Sequence, residues 1–148
     1  MRGFLEYNGA VNDTPALETI GLILQGFPEG YKRSVVLAAA DVETGEYVQY
    51  TEKNTPFSDL HQAAMCSASI PGVFPSQHFN GRYLMDGGTI WNINIDGAIK
   101  GCLEKGFAEN EIILDISICF YDTVDQESDV SSHALNNWLE NMHIHRFY

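Results

Sequence analysis

The sequence carries no cysteine framework. Its three cysteines, Cys66, Cys102 and Cys119, are odd in number, widely spaced and free of any C-x-x-C. That pattern argues against a disulfide scaffold and against a zinc knuckle. Each lies in an apolar stretch and reads as a buried free thiol, which fits a reducing, cytoplasmic setting. Basic residues are also few. Eight Lys and Arg against 20 Asp and Glu leave a net charge of −12, a sign that repels nucleic acid phosphates and anionic lipid headgroups. No nucleic acid partner is therefore expected, whereas a local, peripheral membrane contact through apolar side chains stays open. No apolar run approaches the roughly 20 residues a membrane helix needs. Met1 to Ala10 holds one basic residue, Arg2, and no continuous apolar stretch, so no signal peptide is expected. There is no internal repeat, no low-complexity tract and no evident linker. The 148 residues fit one domain able to bury a core.

What is present reads as alternating helices and strands. Thr14-Pro15 is an N-cap followed by proline at the first helical position. Leu17, Ile20 and Leu24 recur at helical spacing, and Gly26 can end the helix. Ser34 to Ala40 is a short apolar run suited to a buried strand. Glu43-Thr44-Gly45 is a turn into a hairpin partner, Glu46 to Thr51. Leu60 to Ser69 reads as a helix with small residues at Ala63, Ala64 and Ala68. Ile70 to Pro75 is a stiff loop. Asn80-Gly81, between His78-Phe79 and Tyr83-Leu84, is a two-residue hairpin signal. Asn94 can cap a helix that Gly106 closes. Glu111 to Phe120 reads as another strand, 121–148 as an acidic loop and a terminal amphipathic helix with Leu135, Trp138, Leu139 and Met142 on one face. The layout is α/β, with a largely parallel sheet and helices on both faces.

The informative stretch is Ala64 to Ala98. Ala68-Ser69-Ile70-Pro71-Gly72-Val73-Phe74-Pro75 is followed by Gly81-Arg82-Tyr83-Leu84-Met85-Asp86-Gly87-Gly88. A strand that ends on an acid and runs into two glycines can present one carboxylate to a cleft. The glycines permit φ > 0 and a close backbone approach. This run resembles the patatin-like phospholipase family, in which an A-S-x-x-I-P-G-x-F-P loop precedes a hairpin that delivers D-G-[GA]. The resemblance extends more weakly to Asp13-Thr14-Pro15-Ala16-Leu17 and to Ala40-Asp41 with Thr44-Gly45-Glu46, covering about Asp13 to Phe120.

The resemblance implies the C-terminal part of a three-layer patatin-like domain, incomplete here, and a lipid ester as substrate. It makes Asp86 the proton acceptor of a Ser–Asp dyad, with Gly87 and Gly88 completing the motif. Ser69, Pro71, Gly72 and Asn92 become supporting residues. No cofactor and no metal are implied. In the family the aspartate accepts the serine proton directly, the serine attacks the ester, and water releases the fatty acid. A free aspartate has a reference pKa of about 3.9 and is a poor base, so desolvation would have to raise it. Two parts of this chemistry are missing. No G-x-S-x-G elbow and no glycine-rich oxyanion loop occurs in the sequence. Both precede D-G-[GA] in the family's order. Their absence points to a missing upstream part, as in a truncated chain or duplicated remnant, and not to a site degenerated in place.

Other residues compete less well. Ser67 and Ser69 have no flanking glycines to permit a nucleophile elbow. Asp96-Gly97-Ala98 repeats the triplet, but at a helix start, where an acid favours the dipole. Family spacing, D-G-G-x-x-x-N, selects Asp86 and Asn92. The match departs where Trp91 stands for a common asparagine and Asn94 for a common proline. Asp41 reads as a turn former with Thr44 and Gly45, and Arg82, just before the strand that ends at Asp86, as paired with an acid or solvated. His133, His143 and His145 read as a solvated tail in preference to a metal site. Two functions follow as expectations: a lipid acyl hydrolase lineage inactive without its serine, or a non-enzymatic interaction module needing a partner.

Overall fold

A computed structural model describes residues 9–117. The chain divides into two compact units, Met1–Ile112 and Ile113–Tyr148. The first holds the elements described below. Helix α1 spans Thr14–Gln25 and ends at Gly26, as its spacing predicts. Its cap differs by one position. Asp13 occupies the N-cap without a side-chain bond, while the Asn12 side chain accepts from the Thr14 amide at 3.1 Å. Strands β1 (Val36–Asp41) and β2 (Tyr47–Thr51) form the expected hairpin. Helix α2 (Leu60–Ala68) follows, then β3 (Gln77–Phe79) and β4 (Arg82–Asp86), and then α3 (Ile95–Leu103). The β3–β4 turn has φ of 50° at Asn80 and 75° at Gly81. Two successive positive φ values are the mark of a type I′ turn, whose twist matches the flanking strands.

The sheet order is β2-β1-β4-β3, and every pairing is antiparallel. The α/β class holds, but the largely parallel sheet is not what these strands form. Both hairpins turn back through short connections, which only antiparallel neighbours allow. The expected strand from Glu111 is also absent as far as Ser117. Glu109–Glu111 is a 3-10 turn and the residues after it are irregular, with Ile113 90% exposed. An apolar run becomes a strand by being covered on both faces, and this one has no ladder partner among the described residues. The remainder of that run, the acidic loop, the terminal helix and the three tail histidines lie outside the described residues.

Helices cover both faces of the sheet. On one, Ala39, Tyr50, Phe79 and Leu84 pack with Ala63 and Cys66 of α2. Alternation turns Tyr47 and Gln49 to the other face, where Gln49 donates to Asn94 at the start of α3. Ala39, Ala63, Cys66 and Leu84 are fully buried. Burial pushes the Cys66 thiol up to about 12, so it is an inert core residue. Asp41 is buried at the end of β1. Its Oδ1 accepts the Glu43 and Thr44 amides at 2.9 and 3.1 Å, and Arg82 donates to its Oδ2 at 3.0 Å. Arg82 also pairs with Glu46. The two bonds tie the β1–β2 turn to β4 and account for both residues structurally.

Burial alone would raise the Asp41 carboxyl, but the Thr44 and Glu43 amides and the Arg82 guanidinium hold it below its ordinary value of 3.8. A depressed folded-state value adds stability that is complete above the unfolded value and is lost as pH falls through the folded one. Asp41→Asn is therefore expected to be less stable than the parent at neutral pH and to approach it as pH drops below about 4. Urea midpoints measured across pH 2–7 check this. Parallel curves for the two proteins would overturn it.

Candidate active site

Asp86 is the last residue of β4 and lies opposite Ala39 of β1. Its own amide donates to the Ser69 carbonyl at 2.9 Å. Ser69 is buried, and its hydroxyl donates back to the Met65 carbonyl of α2 at 2.8 Å. That hydroxyl is thus committed to the helix end, which suits a supporting role and not a nucleophile. The loop after it turns tightly. The Val73 and Phe74 amides both donate to the Ile70 carbonyl at 3.0 Å, and Gly72 takes φ of 80°, a conformation that favours glycine. Pro71 and Phe74 form a bridge across this turn. Ser69 therefore reaches Asp86 through its backbone carbonyl, while Pro71 and Gly72 shape the turn that follows it.

Beyond Asp86 the chain enters a 3-10 turn, Gly87–Thr89, which Asp86 caps. Its Oδ1 accepts the Gly88 amide at 2.7 Å. Among the described residues no hydrogen bond reaches Oδ2. The carboxylate is therefore oriented by one amide with one oxygen left to receive a proton. The two glycines serve differently from the sequence expectation. Neither has a positive φ among the glycines that do, Gly30, Gly45, Gly72, Gly81 and Gly106. What they supply is close approach. A Cβ on Gly87 would sit 2.5 Å from the Ala38 carbonyl oxygen, and one on Gly88 would sit 2.9 Å from Asn92 Oδ1 and 3.0 Å from Asp86 Oδ1. The family-spaced Asn92 is thereby placed against Gly88, on the same side as the carboxylate oxygen.

The opposite face adds residues that the sequence did not single out. The Tyr47 hydroxyl donates to the Trp91 carbonyl at 3.3 Å, and the two rings lie 5.3 Å apart. Burial raises the Tyr47 hydroxyl above its ordinary value, and the negative charge of Asp86 adds to this. Asn94 Oδ1 accepts both the Gly97 amide at 3.0 Å and Gln49 Nε2 at 3.2 Å. The asparagine that stands in place of a proline thus caps α3 and pins it to β2. Asp96 lies exposed in the first turn of α3, the dipole position expected of it. The signal that could have found Tyr47 and Gln49 is their alternation with Val48 and Tyr50, which marks a face turned from the core.

An open groove of about 340 Å³ runs between the end of α1 and the start of α2, lined by Leu24, Phe27, Phe57 and His61 among others. None of its lining belongs to the Asp86 site. Among the described residues no three His, Cys, Asp or Glu converge as metal ligands, and no helix is long and apolar enough to cross a membrane.

Asp86 thus stands at a strand terminus, its amide held by the buried Ser69 and its carboxylate followed by two close-packed glycines. A family model, patatin-like phospholipase, matches residues 2–99, a span that contains every candidate site residue. The chain belongs to the patatin-like phospholipase family, and so to a lineage of lipid acyl hydrolases. A search of curated proteins returned no match.

Gly87→Ala is expected to destabilise the fold by about 1–3 kcal/mol, the usual cost of overpacking a close contact, because backbone and not a flexible side chain occupies the space. Gly88→Ala meets only side-chain ends and is expected to cost less while displacing the Asp86 carboxylate. Chemical denaturation of both variants tests the order, and an equal or reversed order would contradict the close-approach account.

Proposed function

We propose that this chain is the aspartate-bearing part of a Ser–Asp lipid acyl hydrolase, with Asp86 as proton acceptor, and that by itself it does not turn over. The observation that carries the reading is the Asp86 carboxylate, fixed by the Gly88 amide through one oxygen only. An attacking hydroxyl brought to the other oxygen would lose its proton to it as the ester carbonyl is attacked, and the acyl group would pass to that hydroxyl before water releases it. The serine and the oxyanion donors must come from outside these 148 residues, which contain no G-x-S-x-G and no glycine-rich loop apart from the aspartate motif. The substrate is a lipid ester, and no cofactor enters the chemistry. Ser69, Pro71, Gly72 and Asn92 act as positioning residues.

A second reading, an interaction module that requires a partner, draws on one feature. On the side where β4 pairs with β1, the ladder starts at Ala39, and Val36 and Leu37 have no strand opposite them among the described residues. A half-open edge of this kind accepts a further strand. Size-exclusion chromatography separates the readings: a stable monomer argues against an obligatory partner.

The purified chain is expected to show no hydrolysis of p-nitrophenyl or phospholipid esters. Supplied with a serine-bearing patatin-like segment it is expected to gain hydrolysis, and Asp86→Asn is expected to lower that activity by roughly 100- to 10,000-fold, the range for loss of a general base. Activity that survives Asp86→Asn would overturn the assignment. Activity of the lone chain that disappears in Asp86→Ala would overturn its inactivity.

A further inference from the structure

The β3–β4 hairpin turns on Asn80-Gly81, and the two residues stand unengaged side by side. Both are exposed. Among the described residues no hydrogen bond reaches the Asn80 carboxamide, and the Gly81 amide donates to no acceptor, since the turn is closed by Phe79 and Arg82 on either side. Asn12, Asn54 and Asn94, by contrast, commit their side chains to backbone amides. Gly81 has no side chain to shield its nitrogen, and a Cβ built there would meet nothing within 4 Å. An electrophilic carbonyl carbon and an unpaired, unshielded amide nitrogen are thus neighbours in one open turn.

We propose that Asn80 is a modification site, where spontaneous deamidation and isomerisation slowly convert the β3–β4 turn into an isoaspartyl link. The Gly81 nitrogen gives up its proton and attacks the side-chain carbonyl carbon of Asn80. The bond from that carbon to the side-chain nitrogen breaks, and ammonia leaves with the proton. Water then opens the cyclic imide. Opening at the side-chain carbonyl gives aspartate. Opening at the main-chain carbonyl gives isoaspartate, in which the chain runs through the former side chain and is longer by one methylene. Water is the sole co-reactant, and nothing is oxidised or reduced. Asparagine is in general a thermolabile residue.

The hairpin has no slack for the added methylene. Loop length sets hairpin register, and both ends of this loop are anchored. Phe79 is buried in the core cluster, and Arg82 is tied to Asp41 and Glu46. Neither strand can slide to absorb the extra length, so the Phe79–Arg82 pair is the one to give way. The new carboxylate also stands two residues from Arg82, where it competes with Asp41 and Glu46 for the guanidinium. Both effects loosen the start of β4, the strand that ends at Asp86. The inference is independent of the hydrolase reading, since it concerns the hairpin and not the reaction of the acid.

The test incubates the folded full chain in mildly alkaline buffer and follows it by peptide mapping. The peptide holding Asn80 is expected to convert to aspartate and isoaspartate, faster as pH rises because the attacking amide must first lose its proton. Asn8-Gly9, whose asparagine lies outside the described residues, is read as a separate peptide. Asn80→Gly keeps a Gly-Gly pair suited to the same turn and is expected to lose the conversion at this position entirely. The aged parent is expected to show a lowered urea midpoint. Aged Asn80→Gly, which retains Asn8, is expected to keep its own. Freshly prepared Asn80→Asp carries the charge without the methylene in a turn that Asp-Gly also favours, and is expected to stay closer to the fresh parent than the isoaspartyl form does. Conversion in the urea-unfolded chain with none in the folded chain would overturn the proposal. So would an isoaspartyl form as stable as the fresh parent, or an equal loss of stability in aged Asn80→Gly.

Discussion

The short ladder between β1 and β4 governs the arrangement of everything at the candidate site. Only three residue pairs form it, from Ala39 with Asp86 to Asp41 with Leu84. At one end the buried Asp41 carboxylate and Arg82 fasten β4 to the β1–β2 turn. At the other end Gly87 comes so close to the Ala38 carbonyl that any side chain there would overlap it. Between these limits β4 can shift in neither direction without losing the Asp41–Arg82 ion pair or striking backbone. A carboxylate at the end of such a strand inherits a fixed position, which is what proton transfer over hydrogen-bonding distance demands.

The bracing of Asp86 is shared between main chain and side chain. Its amide is taken by Ser69, one carboxylate oxygen is taken by Gly88, and the second is left free among the described residues. Ser69 in turn is bound to α2 through Met65. The position of the acid therefore depends on a helix, a tight loop and a 3-10 turn that meet at one strand end. Membership of the patatin-like phospholipase family places the chain in a lineage of lipid acyl hydrolases.

Much of the first unit was legible because its signals were local. Asn80-Gly81 specified a type I′ turn through the φ values that only such residues take readily, and Gly26 and Asn94 marked helix ends through capping. The apolar runs of β1 and β2 and the turn between them were equally self-contained. Strand direction was not, because pairing β1 with β4 joins residues more than 40 positions apart and leaves no periodic trace in either strand. The isoleucine-rich stretch after Glu111 misled for a related reason: a strand's composition does not supply its neighbour. At the site, the order of residues revealed Asp86 and its glycines, but not why the glycines are needed, since crowding against Ala38 appears only once the strands are laid side by side. Tyr47 and Gln49 escaped notice because their contacts, with Trp91 and Asn94, cross more than 40 residues of chain.

The run of alanines where α2 meets the sheet has a mechanical consequence. With Ala39 on one layer and Ala63 on the other, both wholly enclosed in one core cluster, the spacing between helix and strand is set by residues whose side chains are single methyl groups. Longer side chains would act as shims. A single added methyl group there would lift α2, carry the Ser69 carbonyl with it, and retune the height of the carboxylate that hangs from it. Such interior positions, with no polar group of their own, govern how the end of β4 is seated.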